Sequence, residues 1–342
     1  MRRATEHDLS ESGILARVKA VAGRALDRYG LPADSRVTLI NVSENATFRV
    51  ESGAGGVGAA TVLRVHRLGY HSVEAIRSEL DWIDALRHDT GLRVPVIVPA
   101  ADGARIVRVE DPDGEPRHCV MFEFLPGTEP PEDRLVEDFE PLGQITARMH
   151  RHARQWVRPA GFTRFHWDFD AAFGAEARWG RWRDGVGVDR EAAAVLSRLE
   201  ETLRERLRRF GRGPGRYGLI HADLRMANLL ADGAGGISVI DFDDCGFGWF
   251  MYDFGAAVSF IEHHPRLPEL IDAWLRGYRS VLDLPDEDAA EIWTFVLFRR
   301  LLLIAWIGSH PAVDIARELG TGYTAGGCEL AERYLGGVSR LS

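Results

Sequence analysis

The stretch from His221 to Asp244 constrains this chain more than any other. It reads His221-Ala222-Asp223-Leu224-Arg225-Met226-Ala227-Asn228, then Leu229-Leu230-Ala231-Asp232-Gly233, then Ile237-Ser238-Val239-Ile240-Asp241-Phe242-Asp243-Asp244. Two apolar runs flank a turn rich in Asp and Gly, which is a hairpin signal. Pairing Leu229–Ala231 with Ser238–Ile240 predicts that Asn228 and Asp241 lie opposed at the open end, about 5 Å apart. An amide oxygen and a carboxylate at that spacing suit a hard cation such as Mg²⁺, which takes oxygen ligands. Asp223, five residues before Asn228, adds a third oxygen group able to orient or deprotonate a hydroxyl. Any one of these residues would be an ordinary loop former. The whole set, at this spacing, points to a site.

The rest of the chain sets the frame. Its 342 residues, 45% hydrophobic and 27% charged, describe a folded globular protein and exclude a disordered, collagen-like or coiled-coil one. That length implies two lobes at about 100–200 residues per domain. A net charge of −9 counts against a nucleic-acid scaffold. Lys19 is the only lysine, so every other cation is an arginine. Cys119, Cys245 and Cys328 are odd in number and widely spaced. They read neither as a disulfide framework nor as a zinc site, and a reducing cytoplasm is expected. The first residues lack the apolar run of a signal peptide. The most apolar stretch, Phe295 to Ile307, is interrupted by Arg299 and Arg300. It is too short and too charged to span a bilayer and reads as a buried helix.

Residues 1–124 are expected to form an α+β lobe. A helix over Leu9 to Tyr29 is followed by strands around Asn41–Asn45, a strand Ala60–His66, a helix from Ser72 to His88, and short strands near Ile106–Val109 and His118–Phe124. Ser72 is a suitable N-cap. Leu125-Pro126-Gly127 and Pro130-Pro131 break the pattern and mark residues 125–131 as a hinge. Residues 132–342 then turn mainly helical, with amphipathic segments at Asp138–Ala153, Glu191–Phe210, Pro268–Leu282 and Ala289–Ile307. The Glu191–Phe210 segment is expected to point Val195, Leu199, Leu203, Leu207 and Phe210 inward.

His221-x-Asp223-x-x-x-x-Asn228 and Ile240-Asp241-Phe242-Asp243 resemble the signature of the aminoglycoside phosphotransferase and choline kinase group. Asp253, in Met251-Tyr252-Asp253-Phe254, matches a further Asp of that group. The resemblance extends through the N-terminal strands, the hinge and the helix carrying His150. It implies a bilobal protein-kinase-like fold, with a small antiparallel-sheet N-lobe and a mainly helical C-lobe. It also implies ATP and Mg²⁺ as cofactors and a small-molecule hydroxyl as acceptor. Asp223 would then be the catalytic residue, with Asn228 and Asp241 as metal ligands. Two positions depart from the wider pattern. Asp243 stands where protein kinases have the Gly of Asp-Phe-Gly, and Arg225 stands where many members of the group have His.

The N-lobe supplies a second line of argument. On the helix, Val73, Ile76, Leu80, Ile83 and Leu86 form one apolar stripe, and Glu79 falls inside it. An inward carboxylate is costly without a partner. On the strand, Arg64 alternates with Leu63 and Val65 and faces the other way. Arg64 is therefore expected to pair with Glu79 and to reach the α- and β-phosphates, where protein kinases use a Lys. Arg keeps the charge but forks its hydrogen bonds. Gly53-Ala54-Gly55-Gly56-Val57-Gly58 spells GxGxxG. No helix follows it, so it reads as a hairpin tip rather than a dinucleotide site. The phosphate-covering loop is placed instead at Ser43-Glu44-Asn45-Ala46, with Ser43 and Asn45 as candidate contacts. Glu123 and Leu125 are expected to present backbone groups to the adenine edge.

Arg225, Asp243, Trp249 and Asp253 are candidate acceptor contacts, and Trp249 is otherwise a core residue. Arg178, Arg181 and Arg183 read as a solvated face. The pairs His150/His152 and His263/His264 match no zinc spacing. The reading is an ATP-dependent O-phosphotransferase acting on an aminoglycoside, amino alcohol or related metabolite. Two alternatives stand beside it: a Ser/Thr protein kinase of the same fold, and a non-catalytic nucleotide-binding module. The short run from Asp241 to Asp253 leaves little chain for an activation loop and favours a small-molecule acceptor.

Overall fold

The computed structural model describes residues 11–42, 45–52, 60–111, 114–311 and 313–337. The chain divides into two compact units. One comprises Met1–His88, Arg93–Pro126 and Pro159–Thr163; the other comprises Asp89–Leu92, Gly127–Arg158 and Arg164–Ser342. The division falls between Pro126 and Gly127, inside the expected hinge. Pro159–Thr163 belongs with the first unit, where Thr163 N–H donates to Ser78 Oγ at 2.9 Å.

The first unit carries helix α1 (Glu11–Arg28), strands β1 (Arg36–Val42), β2 (Asn45–Glu51) and β3 (Thr61–His66), helix α2 (Val73–Thr90), and strands β4 (Ile97–Val98), β5 (Val107–Val109) and β6 (Arg117–Glu123). The strands form one antiparallel sheet in the order β1-β2-β3-β6-β4, with β5 also on β6. Leu63 and Val65 of β3 enter a core with Val18, Val21, Ala22 and Ala25 of α1. The alternation of the strand then sends Arg64 to the opposite face. Ser72 caps α2 by accepting from Ala75 N–H at 3.2 Å. Ile76, Leu80, Ile83 and Leu86 are buried, and so is Glu79.

The second unit begins with α3 (Leu135–Gln155), β7 (His166–Trp167), α4 (Phe169–Phe173), α5 (Arg190–Phe210), β8 (Tyr217–Ile220), β9 (Leu229–Ala231) and β10 (Ile237–Val239). It continues with β11 (Gly246–Trp249), α6 (Tyr252–Ala257), α7 (Leu267–Arg279), α8 (Asp286–Ala289), α9 (Ile292–Ser309) and α10 (Asp314–Leu335). On α5, Leu196 rather than Val195 joins Leu199, Leu203, Leu207 and Phe210 in the interior. Among the described residues, no disulfide joins Cys119, Cys245 or Cys328. Among the described residues, the only helical stretch apolar and long enough to cross a membrane is Asp286–Ser309, which runs through α8 and α9, and 83% of its most apolar window is buried inside the protein. It is a core helix.

Helices α3 and α7 cross at two glycines. A Cβ on Gly277 would lie 1.9 Å from Glu140 O, and one on Gly143 would lie 2.2 Å from Trp274 O. The obstacles are backbone carbonyls, which cannot swing aside as a side chain can. Gly277→Ala is therefore expected to lower stability by about 1–3 kcal/mol, the usual range for overpacking. The midpoint of urea denaturation, at constant slope, measures it.

One register differs from expectation. Strand β9 pairs with Ile237–Val239, not Ser238–Ile240, so that Leu229 opposes Val239. Asp232 sets this register: its Oδ1 accepts from Ala234 N–H and Gly236 N–H, both at 2.8 Å. That Asx-type turn fixes the loop length. Ile240 N–H then donates to Asn228 O at 2.9 Å. Asp241 lies one residue beyond the pairing, in a left-handed conformation with φ of 62°.

Candidate active site

In the second unit, strand β8 delivers the chain to His221 and the loop that follows. Buried Asp253 on α6 holds the entry to this loop. Its Oδ2 accepts from His221 N–H at 3.2 Å, and its Oδ1 accepts from Ala222 N–H at 2.7 Å. His150 of α3 braces the same carboxylate through Nε2 at 2.9 Å and meets Tyr278 OH through Nδ1 at 3.0 Å. Ala222 is left-handed, with φ of 68°. A non-glycine residue held there stores strain, a feature concentrated at functional sites.

Asp223 follows. Its Oδ1 accepts from Arg299 Nη2 at 2.7 Å. Its Oδ2 accepts from Asn228 Nδ2 at 2.7 Å and from Arg225 Nε at 3.2 Å. Burial pushes the Asp223 carboxyl up, but the charges of Arg225 and Arg299 outweigh it and hold the group below the ordinary carboxylate value. Asp223 is therefore ionised at neutral pH. His221 accepts from Asp223 N–H through Nδ1 at 3.3 Å, which places its proton on Nε2, facing Ile240 O at 3.1 Å. One imidazole thus ties the Asp223 loop to the residue before Asp241.

Asn228 is buried and gives its amide nitrogen to Asp223 O (2.8 Å) and to Oδ2. That orientation leaves Oδ1 on the other side of the amide as an acceptor. Asp241 is exposed. No cluster of three or more His, Cys, Asp or Glu placed to hold a metal occurs among the described residues. The donors present fit a hard cation held by an amide oxygen and a carboxylate, completed by phosphate oxygens and water, which is how Mg²⁺ is usually bound. Three successive carbonyls after Asp241 are pinned from one segment. Arg164 donates to Asp243 O and, at 2.5 Å, to Cys245 O, while Trp167 Nε1 donates to Asp244 O at 2.7 Å.

In the first unit, Arg64 Nη2 donates to Glu79 Oε1 at 2.7 Å, with both side chains buried. The guanidinium carbon lies 5.3 Å from the Phe122 ring centre. At the end of β6, Glu123 N–H donates to Val96 O and Phe124 N–H donates to Ala60 O. The backbone of Leu125 makes no hydrogen bond among the described residues. Ser43, and the glycine-rich run Gly53–Gly58, lie outside the described residues.

Several expected contacts are corrected. Asn45 Oδ1 accepts from Arg67 N–H at 3.2 Å, so a phosphate contact of this side chain would come from its amide nitrogen. Trp249 does not line a pocket. It is 2% exposed, packs on Phe295 and Phe298, and donates through Nε1 to Gly211 O at 2.8 Å. Asp253 is fully buried and serves the loop backbone rather than an acceptor. Asp243 is buried, within the segment pinned by Arg164. Arg225 binds Asp223 itself. Sequence reasoning missed Arg299, whose signal was a charged residue inside an apolar helix. It also missed His150 and Arg164, which carry no local signal of their role.

An antiparallel-sheet unit with a buried Arg–Glu pair, and a helical unit with an Asp–Asn pair beside an exposed Asp, define a protein-kinase-like phosphotransferase. The chain belongs to the phosphotransferase enzyme family, whose profile matches residues 36–293. A solved microcompartment-associated aminopropanol kinase is 49% identical, with a TM-score of 0.87 over 95% of this chain and 100% of that one. An amicoumacin kinase solved with AMP-PNP, Ca²⁺ and Ami is 25% identical, with a TM-score of 0.76 over 95% of each chain. The amicoumacin kinase of Bacillus subtilis is 25% identical over 308 residues, 86% of this chain and 85% of that one. The protein is a small-molecule kinase that phosphorylates a hydroxyl group.

Proposed function

We propose that this kinase transfers the γ-phosphate of ATP, with Mg²⁺, to the hydroxyl of a small amino alcohol. The carrying observation is the 2.7 Å hydrogen bond between Asn228 and Asp223. It joins the residue that meets the acceptor to a residue that holds the cation. Asp223, ionised and fixed by three donors, accepts the hydroxyl proton as the acceptor oxygen bonds to the γ-phosphorus. The bond from that phosphorus to the bridging oxygen breaks, and ADP leaves. Asn228 Oδ1 and Asp241 would hold Mg²⁺, which would neutralise charge on the phosphates. Arg64, fixed by Glu79, binds the α- and β-phosphates. Glu123 C=O and Leu125 N–H meet the adenine edge. Catalysis on this scheme is mainly alignment and electrostatics.

The acceptor class rests on the 49% identity to an aminopropanol kinase. ADP release from ATP and Mg²⁺ tests it against aminopropanol, ethanolamine, choline, amicoumacin and spectinomycin. Aminopropanol is expected to give the highest kcat/KM. ADP release with an antibiotic and none with any amino alcohol would refute the acceptor class.

A further inference from the structure

We infer that Arg299, from the middle of α9, is a positioning residue that fixes the direction from which Oδ1 of Asp223 receives the acceptor hydroxyl. The inference rests on the reading that Asp223 meets the acceptor. Arg299 is 2% exposed, and the helix around it is apolar. A buried ion pair is a poor way to pack such a helix, because replacing both partners with apolar side chains of similar volume is often neutral or stabilising. What Arg299 contributes is therefore geometric.

Its donors reach four acceptors. Nε binds Ser259 Oγ at 3.1 Å. Nη1 binds Tyr252 OH at 2.9 Å and Ala222 O at 3.3 Å. Nη2 binds Asp223 Oδ1 at 2.7 Å. Ser259 and Tyr252 anchor the guanidinium, and the anchored guanidinium then holds Asp223 and the carbonyl just before it. Left-handed Ala222 is gripped at both of its peptide groups, by Arg299 at the carbonyl and by Asp253 at the N–H.

The carboxylate's own inventory completes the argument. A carboxylate offers about four lone-pair sites, two on each oxygen. Arg225 and Asn228 fill both on Oδ2, and Arg299 fills one on Oδ1. The remaining site is on Oδ1, the oxygen Arg299 holds. The direction from which Asp223 can receive a hydroxyl is thus set by a side chain from another helix. Lysine carries all its donors on one atom and cannot reach four separated acceptors.

The test compares Arg299→Met, Arg299→Lys and Asp223→Asn with the unaltered enzyme. Aminopropanol is the acceptor, or the fastest member of the panel above if another turns over faster. A misplacement of about 1 Å costs roughly 10²-fold in rate. Arg299→Met is expected to lower kcat per folded enzyme by about that factor, with KM for ATP unchanged; the melting temperature is expected to fall, because one partner of a buried pair is removed. Arg299→Lys is expected to recover only part of the loss. Unaltered kcat in Arg299→Met, or a loss that tracks the folded fraction, would overturn the inference. If Arg299→Met does not fold, Arg299→Lys decides by the same readouts. If Asp223→Asn itself turns over normally, the role of Asp223 fails and the inference falls with it. If Asp223→Asn is inactive while both Arg299 variants are fully active, only the inference fails.

Discussion

Asp223→Asn is expected to lower kcat by about 10²–10⁴-fold, the range for removing a positioned general base, and to leave nucleotide affinity nearly unchanged. The nucleotide contacts proposed above lie elsewhere, on Arg64 and the backbone of Glu123 and Leu125. Asparagine is a better probe than alanine. Alanine would leave Arg299, whose side chain is 3% exposed, without its carboxylate, and breaking a buried pair typically costs about 3–5 kcal/mol. Asparagine keeps an oxygen for Arg299 but turns an amide N–H toward Asn228 Nδ2 and Arg225 Nε, a cost of about 1–3 kcal/mol. Steady-state turnover, with calorimetric nucleotide binding on the same preparation, separates the two effects. Normal turnover in Asp223→Asn would refute the assignment. The pH dependence has a definite sign. A carboxylate whose folded pKa is lowered contributes stability above its unfolded value of about 4, and that stability is lost as pH falls through the lower folded value. Asp223 therefore does not cause any loss of activity between pH 5 and 6.

The parts of this site that were legible in the sequence are those whose signal is local. The spacing of Asp223, Asn228 and Asp241 is a property of one loop and one hairpin. The inward position of Glu79 follows from helical period, and the direction of Arg64 from strand alternation. What failed depended on side-chain contacts that the hydrophobic pattern does not encode, most of them between distant segments. The hairpin register followed the Asp232 turn, a side-chain-to-backbone choice that hydrophobic runs do not encode. Trp249 and Asp253 follow Asp241 closely in the chain, which suggested an acceptor contact, yet both are sealed inside by α9 and α3 residues. Arg299 was visible only as an interruption of an apolar helix. Its partner is 76 residues away, and nothing in the periodicity of α9 names it. A buried charge in such a helix does carry one inference without a structure: it must have a partner.

Glu79→Ala is expected to be the most destabilising change in the first unit, at about 3–5 kcal/mol, because it leaves the buried Arg64 guanidinium without its carboxylate. Stability alone does not show what the pair is for, since any buried pair responds this way. The double variant Arg64→Met/Glu79→Leu separates structure from function. Replacing both charges with apolar groups of similar volume removes the uncompensated ion, so stability is expected to return close to that of the unaltered protein. Nucleotide binding is not expected to return, because no cation remains to meet the phosphates. Arg64→Lys completes the series. It keeps the charge, but a single ammonium replaces the fork that now meets Glu79 at 2.7 Å. KM for ATP is expected to rise by about tenfold, equivalent to about 1.4 kcal/mol, with KM for the acceptor unchanged. Chemical denaturation and ATP titration of these variants, run together, give the result. A double variant that is both stable and fully able to bind ATP would show that the pair only braces the sheet and helix, and that the phosphates are held by other groups.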